Sequence, residues 1–407
     1  MSRILFAWEL GANLGHLARD LPVAEELRKQ GHDVLFAAKD LRVAEQVLSP
    51  AGFAFVQPPA TANAPQNSYA PANYSEILIG AGYGDVLGTL ARVKAWATLF
   101  DLHQTEVVVI NHAPTALLAA RALGLPVVLT CIGFELPPAV SPLPSIRPWE
   151  SISVERLLQA DSVVLHTFNS VLDRFDQAPI SRVADLFTNL PTALTTFPEL
   201  DHYGERSDVL YVGPVSMLTN AVECPWPAGA SRRIFAYLRP SVPGFEHMLA
   251  ALKDTAATVL CVSPGISADD AKRLSSPRLK ISPHPVALNT ALEHADLGVV
   301  YGTGTMADAL LAGVPLLMVP QVVEQALAAR RIEDLGAGIL WRPPRTPESA
   351  HTVLRNALSA SSLKQQADLF AKRYQGVSQE EASGAIARMI SDTALLGRQF
   401  KQTRSSP

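Results

Sequence analysis

Residues 297–341 constrain the fold of this chain more than any other stretch of the sequence. They read LGVVYGTGTMADALLAGVPLLMVPQVVEQALAARRIEDLGAGILW. The spacing of the apolar residues predicts a strand, a glycine turn, a helix, a second strand, a polar turn and a second helix. Gly313 and Pro315 end the first helix, and Gly336 ends the second. The two βα turns are therefore expected at one edge of a parallel sheet, where such folds bind ligands.

The first of these turns has the composition of a phosphate site. A helix that begins there leaves N–H groups of its first turn without partners, and its dipole adds positive charge. Glycines let an anion approach the backbone, and threonine hydroxyls add donors. The residues expected to hold a diphosphate are Gly302, Thr303, Gly304 and Thr305. A tight turn without a ligand is the alternative. The same residues match the dinucleotide-binding fingerprint only weakly, because they lie late in the chain.

The segment resembles the donor-binding motif of the GT-B, family 1-type glycosyltransferases, which include UDP-glycosyltransferase-like and macrolide glycosyltransferase-like enzymes of bacteria. GTGTMADALLAGVPLLMVP and the following EQALAARRIEDLGAGI fall in the family's order and spacing. The resemblance implies an α/β fold with two facing Rossmann-like domains and a cleft between them. It implies that the glycine turn holds the diphosphate and that Asp308 faces the ribose or a phosphate. It also implies that Glu324 and Gln325 bond the sugar hydroxyls.

Two further donor contacts are predicted in the second half of the chain. The family's diphosphate-binding histidine falls on Val300 here, so one contact is missing. Arg239 ends the first strand of this half, and we expect it to replace that histidine because a guanidinium can bind phosphate through two parallel hydrogen bonds. A solvent-exposed arginine before a proline is the alternative. By resemblance, backbone groups near Val286 would read the nucleobase, and the choice between UDP and dTDP stays open.

The length of the chain predicts two domains. Its 407 residues are too many for one ordinary core, and 48% hydrophobic with 18% charged residues favours globular domains over disorder. Gly213-Pro214 is a predicted boundary. The predicted divisions are an acceptor-binding domain over 1–213, a linker over 214–230, a donor domain over 231–396 whose last helix, 378–396, packs back on the first domain, and a disordered tail over 397–407.

The composition argues against several classes of protein. A net charge of −4 gives no reason to expect nucleic acid as a partner. Cys131, Cys224 and Cys261 are far apart and lack metal-ligand spacing, so we expect reduced thiols, no structural zinc and a cytoplasmic location. The first residues are typical of a strand rather than a signal peptide, and no transmembrane helix is predicted. We expect no metal and no cofactor besides the nucleotide sugar, and the oligomeric state stays open.

His16 follows the predicted first strand, Ile4–Trp8, in the turn GANLGH. A helix is predicted over 17–30, so the imidazole lies at a helix N-terminus, where the dipole disfavours the protonated ring. A local hydrogen bond to the backbone is the alternative role for this side chain. Gly15-His16 resembles the Gly-His that carries the general base in family 1-type enzymes. The resemblance therefore implies that His16 is the catalytic base.

Asn111 follows another predicted strand, Val107–Ile110. The family often has an aspartate at this place, which orients the catalytic histidine and stabilises its protonated form. An amide oxygen can accept from the ring N–H and fix the tautomer, but it adds no negative charge. Either the reaction needs a weaker base, or His112, Glu9 or Asp20 contributes. An Asn111→Asp change is expected to keep or raise the rate.

Two long loops are predicted to bind the acceptor. Residues 57–82 are rich in Pro, Ala and Asn and include Tyr74. Residues 133–150 are rich in proline and carry Phe134 and Glu135 near their start. Long loops in compact domains are often functional, and by resemblance the first lies where the family has loops that close over the acceptor. A mobile surface loop is the alternative for residues 57–82.

Three hypotheses of function follow. The leading one is an inverting, metal-independent glycosyltransferase that moves a sugar from a nucleoside-diphosphate sugar to a hydroxyl of a small-molecule or lipid-like acceptor. A sugar-nucleotide epimerase or hydrolase on the same fold is the second. A non-catalytic relative that binds a nucleotide or a protein is the third, and it is favoured by Asn111 and Val300. The features that favour catalysis are His16, Asp308, Glu324 and Gln325.

Overall fold

The computed structural model describes residues 1–12, 14–61, 70–215, 224–229 and 232–405, with side chains through residue 399. The chain divides into two compact units. Unit 1 comprises Met1–Met217 and Ser378–Pro407, and unit 2 comprises Leu218–Val377. Several parts of the predicted segments lie outside the described residues: Asn13 of the first turn, 62–69 of the first long loop, and 216–223 and 230 of the linker.

Unit 1 contains a parallel sheet of short apolar strands. Within its described part these are β1 Arg3–Trp8, β2 Asp33–Ala38, β3 Ala54–Val56, β4 Val107–Ile110, β5 Val127–Cys131, β6 Thr192–Leu194 and β7 Leu210–Tyr211. Their order across the sheet is β3-β2-β1-β4-β5-β6-β7, and neighbouring strands are parallel. Strands such as β4 are apolar throughout because the helices of this fold cover both faces of the sheet.

Helices connect these strands. They are α1 Gly15–Lys29, α2 Leu41–Val47, α3 Tyr74–Leu78, α4 Val86–His103, α5 Pro114–Leu123 and α6 Val154–Asp173. α1, which the sequence predicts over 17–30, buries one face, and this face includes Leu17, Leu21, Ala24 and Leu27. None of the helices in the described part of the chain combines the length and apolarity needed to cross a bilayer.

Unit 2 repeats this plan. Over the residues described there, its strands are β8 Arg233–Tyr237, β9 Thr258–Val262, β10 Leu279–Ser282, β11 Leu297–Val300, β12 Leu316–Met318 and β13 Gly338–Leu340. Their order is β10-β9-β8-β11-β12-β13, with parallel neighbours. The helices are α7 Phe245–Asp254, α8 Ala268–Leu274, α9 Leu288–Leu292, α10 Thr303–Leu311, α11 Val323–Asp334, α12 Pro347–Ser359 and α13 Ser361–Arg373.

The strand order reverses at one place in each sheet. In unit 1, β1 lies between β2 and β4, and in unit 2, β8 lies between β9 and β11. Connections that leave two adjacent strands in opposite directions open a crevice at the carboxyl edge, where ligands bind in such sheets. His16 and Asn111 follow β1 and β4, and Arg239 and Gly302 follow β8 and β11. The sequence-predicted residues thus lie at the reversal point of each unit.

The last helix, α14 Gln379–Ser405, belongs to unit 1. It packs along α1, and its buried residues join the core beneath β1 and α1. The buried side chains of α14 are Ala382, Ile386, Ala387, Ile390 and Ala394. The helix does not end near Leu396 as the sequence predicts. It continues because Arg398 pairs with Glu106 at 2.6 Å and also bonds the carbonyl oxygen of Met1.

Both long loops contain helical turns that the sequence does not predict. The described part of the first holds α3, followed by a π-helical turn over Ile79–Tyr83. The second opens with a 3-10 turn over Gly133–Glu135. The carboxylate of Asp161 joins the two segments, since it accepts from Ser75 Oγ at 2.6 Å and from the N–H of Leu143 at 2.8 Å. These contacts are distant in sequence, so local composition alone indicates a loop.

Removing buried methyl groups from α14 should destabilise unit 1. Ile386 and Ile390 are fully buried, so Ile386→Ala or Ile390→Ala should each lower the free energy of unfolding by about 2–5 kcal/mol. Leu395 lies on the same helix with 57% of its surface exposed, and Leu395→Ala should change it by about 0.5 kcal/mol or less. Urea unfolding followed by tryptophan fluorescence measures both. Equal effects at the three positions would contradict this packing of α14.

Candidate functional site

His16 lies at the reversal point of the sheet in unit 1. β1 ends at Trp8, and α1 begins at Gly15 with no side chain capping its first turn. The indole of Trp8 stacks on the imidazole of His16 with ring centroids 5.0 Å apart. Only 12% of the His16 side chain is exposed. Packing therefore fixes the imidazole at the N-terminal end of a helix.

The side-chain amide of Asn111 lies at the centre of a buried hydrogen-bond network. Its Oδ1 accepts from Nη2 of Arg19 and lies 2.8 Å from Nδ1 of His16. Its Nδ2 donates to Oδ2 of Asp20 at 2.7 Å and to the carbonyl oxygen of His16 at 3.1 Å. Asn111 itself is fully buried. Both ends of the amide thus bind groups on α1.

This network assigns the tautomer of His16. An amide oxygen can only accept, so Nδ1 of the ring carries the hydrogen. Nε2 then keeps the lone pair that a general base needs. Gly11, with φ 81°, lies in front of that nitrogen, and a Cβ at this position would clash with Nε2. Glycine is thus required at residue 11 both by the left-handed backbone and by the space that the imidazole occupies.

Two charged side chains of α1 are buried beside His16. Arg19 and Asp20 are three and four residues further along the helix, which places them on the same side as His16. Arg19 is 7% exposed and Asp20 is 2% exposed. Burial raises the pKa of Asp20 to about 7, although Arg19 and the amide of Asn111 favour its charged form. The carboxyl group of Asp20 is therefore only partly ionised at neutral pH.

Glu135 contributes a second buried carboxylate from the 3-10 turn after β5. Its Oε2 accepts from Arg19 Nη2 at 3.1 Å and from the N–H of Ile132 at 3.0 Å. Its Oε1 lies 3.6 Å from Nδ1 of His16 and 4.0 Å from Nδ1 of His112. Burial alone would raise the pKa of Glu135, but Arg19 and the two imidazoles lower it to about 2. The carboxylate is therefore ionised at neutral pH.

His112 is the second histidine of the cluster. Its backbone is left-handed, with φ 51°, and its carbonyl oxygen accepts from the N–H of Leu10 at 2.9 Å. Its ring centroid lies 6.2 Å from that of His16 and 6.0 Å from that of Tyr74. Burial lowers the pKa of His112 to about 4, so the ring is neutral at physiological pH. It adds no positive charge beside His16 under those conditions.

Glu9 follows β1 and contacts α4 and α5. Its carboxylate accepts from the N–H of Thr115 in the first turn of α5 at 2.8 Å, and from Nε1 of Trp96. Burial raises the pKa of Glu9 to about 7, against the effect of these hydrogen bonds. A carboxylate at the start of a helix stabilises the uncompensated N–H groups there. Glu9 therefore joins β1 to α5.

One group of side chains has the composition of a metal site. Over the part of the chain that the structure describes, His16, His112 and Glu135 place potential ligand atoms within 4.8 Å of one another. The guanidinium of Arg19 already binds Glu135 and adds a fixed positive charge. That charge disfavours a cation at the same place.

The glycine turn in unit 2 is open above its backbone. Gly302 precedes α10, and no side chain caps the first turn of that helix. A Cβ added at Gly302 or Gly304 would meet no described atom within 4 Å. Gly302 also has an ordinary φ of −92°. Neither strain nor internal packing therefore requires glycine at residue 302, whereas close approach of a ligand to the backbone would.

A hydrogen bond joins the two predicted donor turns. The hydroxyl of Thr303, at the start of α10, donates to Oε1 of Glu324, at the start of α11. Gln325 is also engaged locally, because its Oε1 accepts from the N–H of Gln321 at 2.9 Å. β11 and β12 are adjacent in the sheet, so their following turns meet. The structure thus brings the predicted phosphate and sugar residues together.

Arg239 lies beside the same turn. β8 and β11 pair with Tyr237 opposite Val300, and the Cζ atom of Arg239 lies 5.9 Å from the ring centroid of Tyr301. Arg239 is half-buried. Val300 is fully buried in β11, so an imidazole at this position would need the core to repack. The neighbourhood of Arg239 is consistent with the predicted diphosphate contact, which stays a prediction.

The remaining donor residues occupy different environments. Asp308 lies in the second turn of α10, where burial raises its pKa to about 7. Val286 is buried between β10 and α9. The hydroxyl of Ser282 contacts both the carbonyl oxygen and the N–H of His284, at 2.8 and 3.3 Å. The nucleobase contact at Val286 therefore stays a prediction.

The predicted acceptor residues are buried within unit 1. Tyr74 is 1% exposed and packs against Phe187 with ring centroids 5.9 Å apart. Phe134 is 7% exposed and lies beside the ring of His202. Glu135 faces the histidines rather than an open wall. Contact with an acceptor stays a prediction for all three residues. For Tyr74 and Phe134 it would require a change of conformation that exposes their side chains.

Arg19 is the residue of this site that the sequence does not single out. The sequence feature that could have identified Arg19 is the i, i+3, i+4 spacing of His16, Arg19 and Asp20. This spacing places two charged residues on one side of α1, next to its apolar face. Charged residues next to the apolar face of a helix are more often exposed to solvent, so this spacing does not by itself predict a buried arginine. Only the folded chain shows that Asn111 and Glu135 meet Arg19 there.

Comparison with known proteins gives short sequence matches. No protein-family model matches the chain. It is 34% identical to the NDP-glycosyltransferase YjiC of Bacillus licheniformis over 119 residues, 29% of each protein. It is 38% identical to the NDP-glycosyltransferase YjiC of Bacillus subtilis over 78 residues, 18% of this chain and 19% of that protein. The chain therefore spans less than a third of either curated relative it matches.

Solved structures match over almost the whole length. Glycosyltransferase VinC in complex with dTDP has a TM-score of 0.67 at 19% identity, covering 96% of this chain and 100% of that one. The glycosyltransferase of kitacinnamycin has a TM-score of 0.71 at 18% identity, covering 96% and 99%. The calicheamicin glycosyltransferase CalG4 has a TM-score of 0.66 at 19% identity, covering 100% and 99%. The chain therefore has the GT-B fold that the resemblance predicts, with a parallel sheet in each of its two units.

Proposed function

We propose that this chain is an inverting, metal-independent glycosyltransferase that uses a nucleoside-diphosphate sugar as donor. The observation that carries the proposal is the 2.8 Å contact between Nδ1 of His16 and Oδ1 of Asn111 at the reversal point of unit 1. It leaves Nε2 as the basic nitrogen at a place where ligands bind in such sheets. The short matches to NDP-glycosyltransferases and the GT-B fold support the same class.

The proposed step is a single displacement at the anomeric carbon. The acceptor oxygen forms a bond to that carbon while Nε2 of His16 takes its proton, and the bond to the diphosphate breaks with both electrons leaving on the phosphate oxygen. One displacement inverts the configuration at the carbon.

The charge of the departing diphosphate would be met by groups of unit 2. The uncapped N-terminus of α10 offers backbone N–H groups and the positive end of the helix dipole. Arg239 adds a full charge beside Tyr301. Because these groups stabilise an anion without a metal ion, we propose that transfer proceeds in the presence of a metal chelator. The acceptor is proposed to be a small-molecule or lipid-like alcohol.

Removing the imidazole of His16 should abolish most of the transfer. His16→Ala should lower turnover by about 100- to 10,000-fold, which is usual for loss of a general base, and should leave donor affinity nearly unchanged. Donor affinity is measured by calorimetry with UDP-glucose and dTDP-glucose. Turnover is measured as release of the nucleoside diphosphate, with a panel of macrolide and phenolic alcohols as acceptors. Release in the absence of acceptor measures hydrolysis and is subtracted.

A matched control for this experiment is His166→Ala, because His166 is exposed on α6 and belongs to no part of the network. Its turnover should equal that of the wild type. Transfer at the wild-type rate by His16→Ala would remove His16 from the mechanism. Sugar release that is independent of every acceptor would favour a hydrolase instead.

Replacing Glu324 should separate sugar binding from diphosphate binding. Glu324→Gln keeps an oxygen that can accept from Thr303 but removes the charge, so the turn should survive. We expect the nucleotide sugar to bind about 10-fold more weakly, about 1.4 kcal/mol for a hydrogen bond to a charged group, while the nucleoside diphosphate binds as before. Glu333→Gln, further along α11 where Glu333 pairs with Arg342, is the control. Equal losses for both ligands would contradict a sugar contact.

For Asn111→Asp, the hydrogen bonds of Asn111 lead us to propose the opposite outcome to the one expected from the sequence. A carboxylate at residue 111 would offer no hydrogen to Asp20 or to the carbonyl oxygen of His16. Repulsion between two adjacent carboxylates raises the pKa of one of them, so we expect the folded variant to hold a shared proton near neutral pH. A folded-state pKa above the unfolded value means that stability is lost as the pH rises through it.

The free energy of unfolding of Asn111→Asp, relative to wild type, should therefore decrease as the pH rises from 5.5 to 8.5. The turnover of the variant should be lower than that of the wild type. Urea unfolding at the two pH values measures the first, and diphosphate release measures the second. The pH dependence of the wild type, in which Asp20 alone has a pKa raised to about 7, is the reference. A variant with wild-type stability at pH 8.5 would contradict the hydrogen-bond assignment of Asn111.

A further inference from the structure

A neutral residue at position 111 leaves the charge balance of the proposed base incomplete. When Nε2 of His16 takes a proton the ring becomes a cation, and a carboxylate nearby stabilises that form. Asn111 orients the ring but brings no charge. The source of negative charge must therefore be sought elsewhere in the buried cluster.

The carboxylate of Glu135 is placed to supply it. Its two oxygens have separate tasks, since Oε2 is held by Arg19 and by the N–H of Ile132, whereas Oε1 faces His16. The distance from Oε1 to Nδ1 of His16 is 3.6 Å. Unit charges this close interact strongly in a site with little water, and Glu135 is 6% exposed.

The turn that carries Glu135 is fixed by its own hydrogen bonds. Arg206 donates to the carbonyl oxygens of Gly133 at 3.0 Å and Leu136 at 2.7 Å, on both sides of Glu135. The same guanidinium pairs with Asp201 at 2.9 Å. A Cβ at Gly133 would collide with the Asp201 carboxylate, so the turn packs tightly against it. The position of Glu135 is therefore set by the fold and not by a flexible loop.

Asp20 is the competing source of charge. Its carboxylate accepts from Asn111 Nδ2 at 2.7 Å, on the far side of the amide from the Oδ1 atom that meets His16. Burial raises the pKa of Asp20 to about 7, while that of Glu135 is held at about 2. Near neutral pH, Glu135 is ionised throughout and Asp20 only in part.

We infer that Glu135 is a positioning residue that stabilises the protonated imidazole of His16, in the role that the family gives to an aspartate at the position of Asn111. The inference rests on the proposed function, because it assigns a partner to the proposed base. Arg19 keeps Glu135 charged and also binds Asn111, so one guanidinium aligns both groups against His16. Orientation and charge, which one side chain supplies in the family, are divided here between two.

Several other groups around His16 titrate or carry charge, and they bear on any pH dependence. They are Arg19 and Asp20 on α1, His112 after β4, and Lys39 after β2, whose ammonium donates to the carbonyl oxygen of Gly11 at 2.7 Å. For three of these groups, the sign of the charge gives the direction of the effect on the protonated ring of His16. Arg19 and Lys39 oppose a charged ring, and Asp20 favours it once ionised.

The test is the titration of His16 by NMR in the full chain with labelled histidine, since this readout does not need the acceptor. The His16 signal is assigned as the one absent from His16→Ala. In Glu135→Gln the imidazole should titrate about 1 pH unit lower than in the wild type, because the neighbouring negative charge is gone. Glu76→Gln is the control, since Glu76 is a buried carboxylate paired with Arg156 on another helix. It should leave the His16 midpoint unchanged.

A second variant is needed in case Glu135→Gln does not fold, because that change leaves Arg19 buried without its carboxylate partner. Glu135→Asp keeps the charge and the pair but draws the carboxylate back from His16. Its midpoint should fall between those of the wild type and Glu135→Gln. An unchanged midpoint in whichever of these variants folds would overturn the inference.

Kinetics then separate this inference from the proposed function. With a transferable acceptor, Glu135→Gln should lower kcat about 10-fold, the equivalent of 1 pH unit in the basicity of the ring, and leave donor affinity unchanged. Normal kcat in this variant alongside loss in His16→Ala would overturn the role of Glu135 and leave the base intact. A wild-type chain that transfers no sugar would overturn the proposed function, while the NMR titration would still decide whether Glu135 stabilises the His16 cation.

Discussion

The side-chain amide of Asn111 is the interaction on which the rest of the site depends. It is fully buried and joins the end of β4 to α1 through hydrogen bonds at both of its ends. A buried polar group that loses a partner costs about 1–3 kcal/mol, so such a network either is complete or destabilises the fold. Because both ends of the Asn111 amide have partners, the position of α1, the tautomer of His16 and the placement of Arg19 are set together.

The ion pair between Arg19 and Glu135 follows from the same constraint. Removing two charges from water is costly, and their attraction offsets that cost only when further hydrogen bonds satisfy both groups. Here the guanidinium also reaches Asn111, and the carboxylate also accepts from Ile132. The amide therefore permits a charged pair where a carboxylate at residue 111 would create repulsion with Asp20. Asn111 is better understood as part of this arrangement than as a defective aspartate.

The fold was largely predictable because parallel strands buried on both faces form short apolar runs between glycine and proline stops. β4 has the predicted bounds, and the glycine turn opens α10 as expected. The predicted loops were less accurate. α3 and the turn at Gly133–Glu135 are held by side chains from distant elements, such as Asp161 on α6, so local composition carries no signal for them. For the same reason α14 extends past the predicted helix end at Leu396.

The sequence by itself determined which chemistry lies at the ends of the strands. Glycine, threonine and histidine after an apolar run are local features, and the carboxyl ends of parallel strands lie at one edge whatever else the chain does. Only the tertiary structure decided how charge is distributed around His16. Asn111 and Glu135 lie 92 and 116 residues from Arg19 along the chain, and each of the three is an ordinary polar residue in its own segment. Their roles arise from burial, which removes water and leaves each charge only the partners that the fold brings within hydrogen-bond distance.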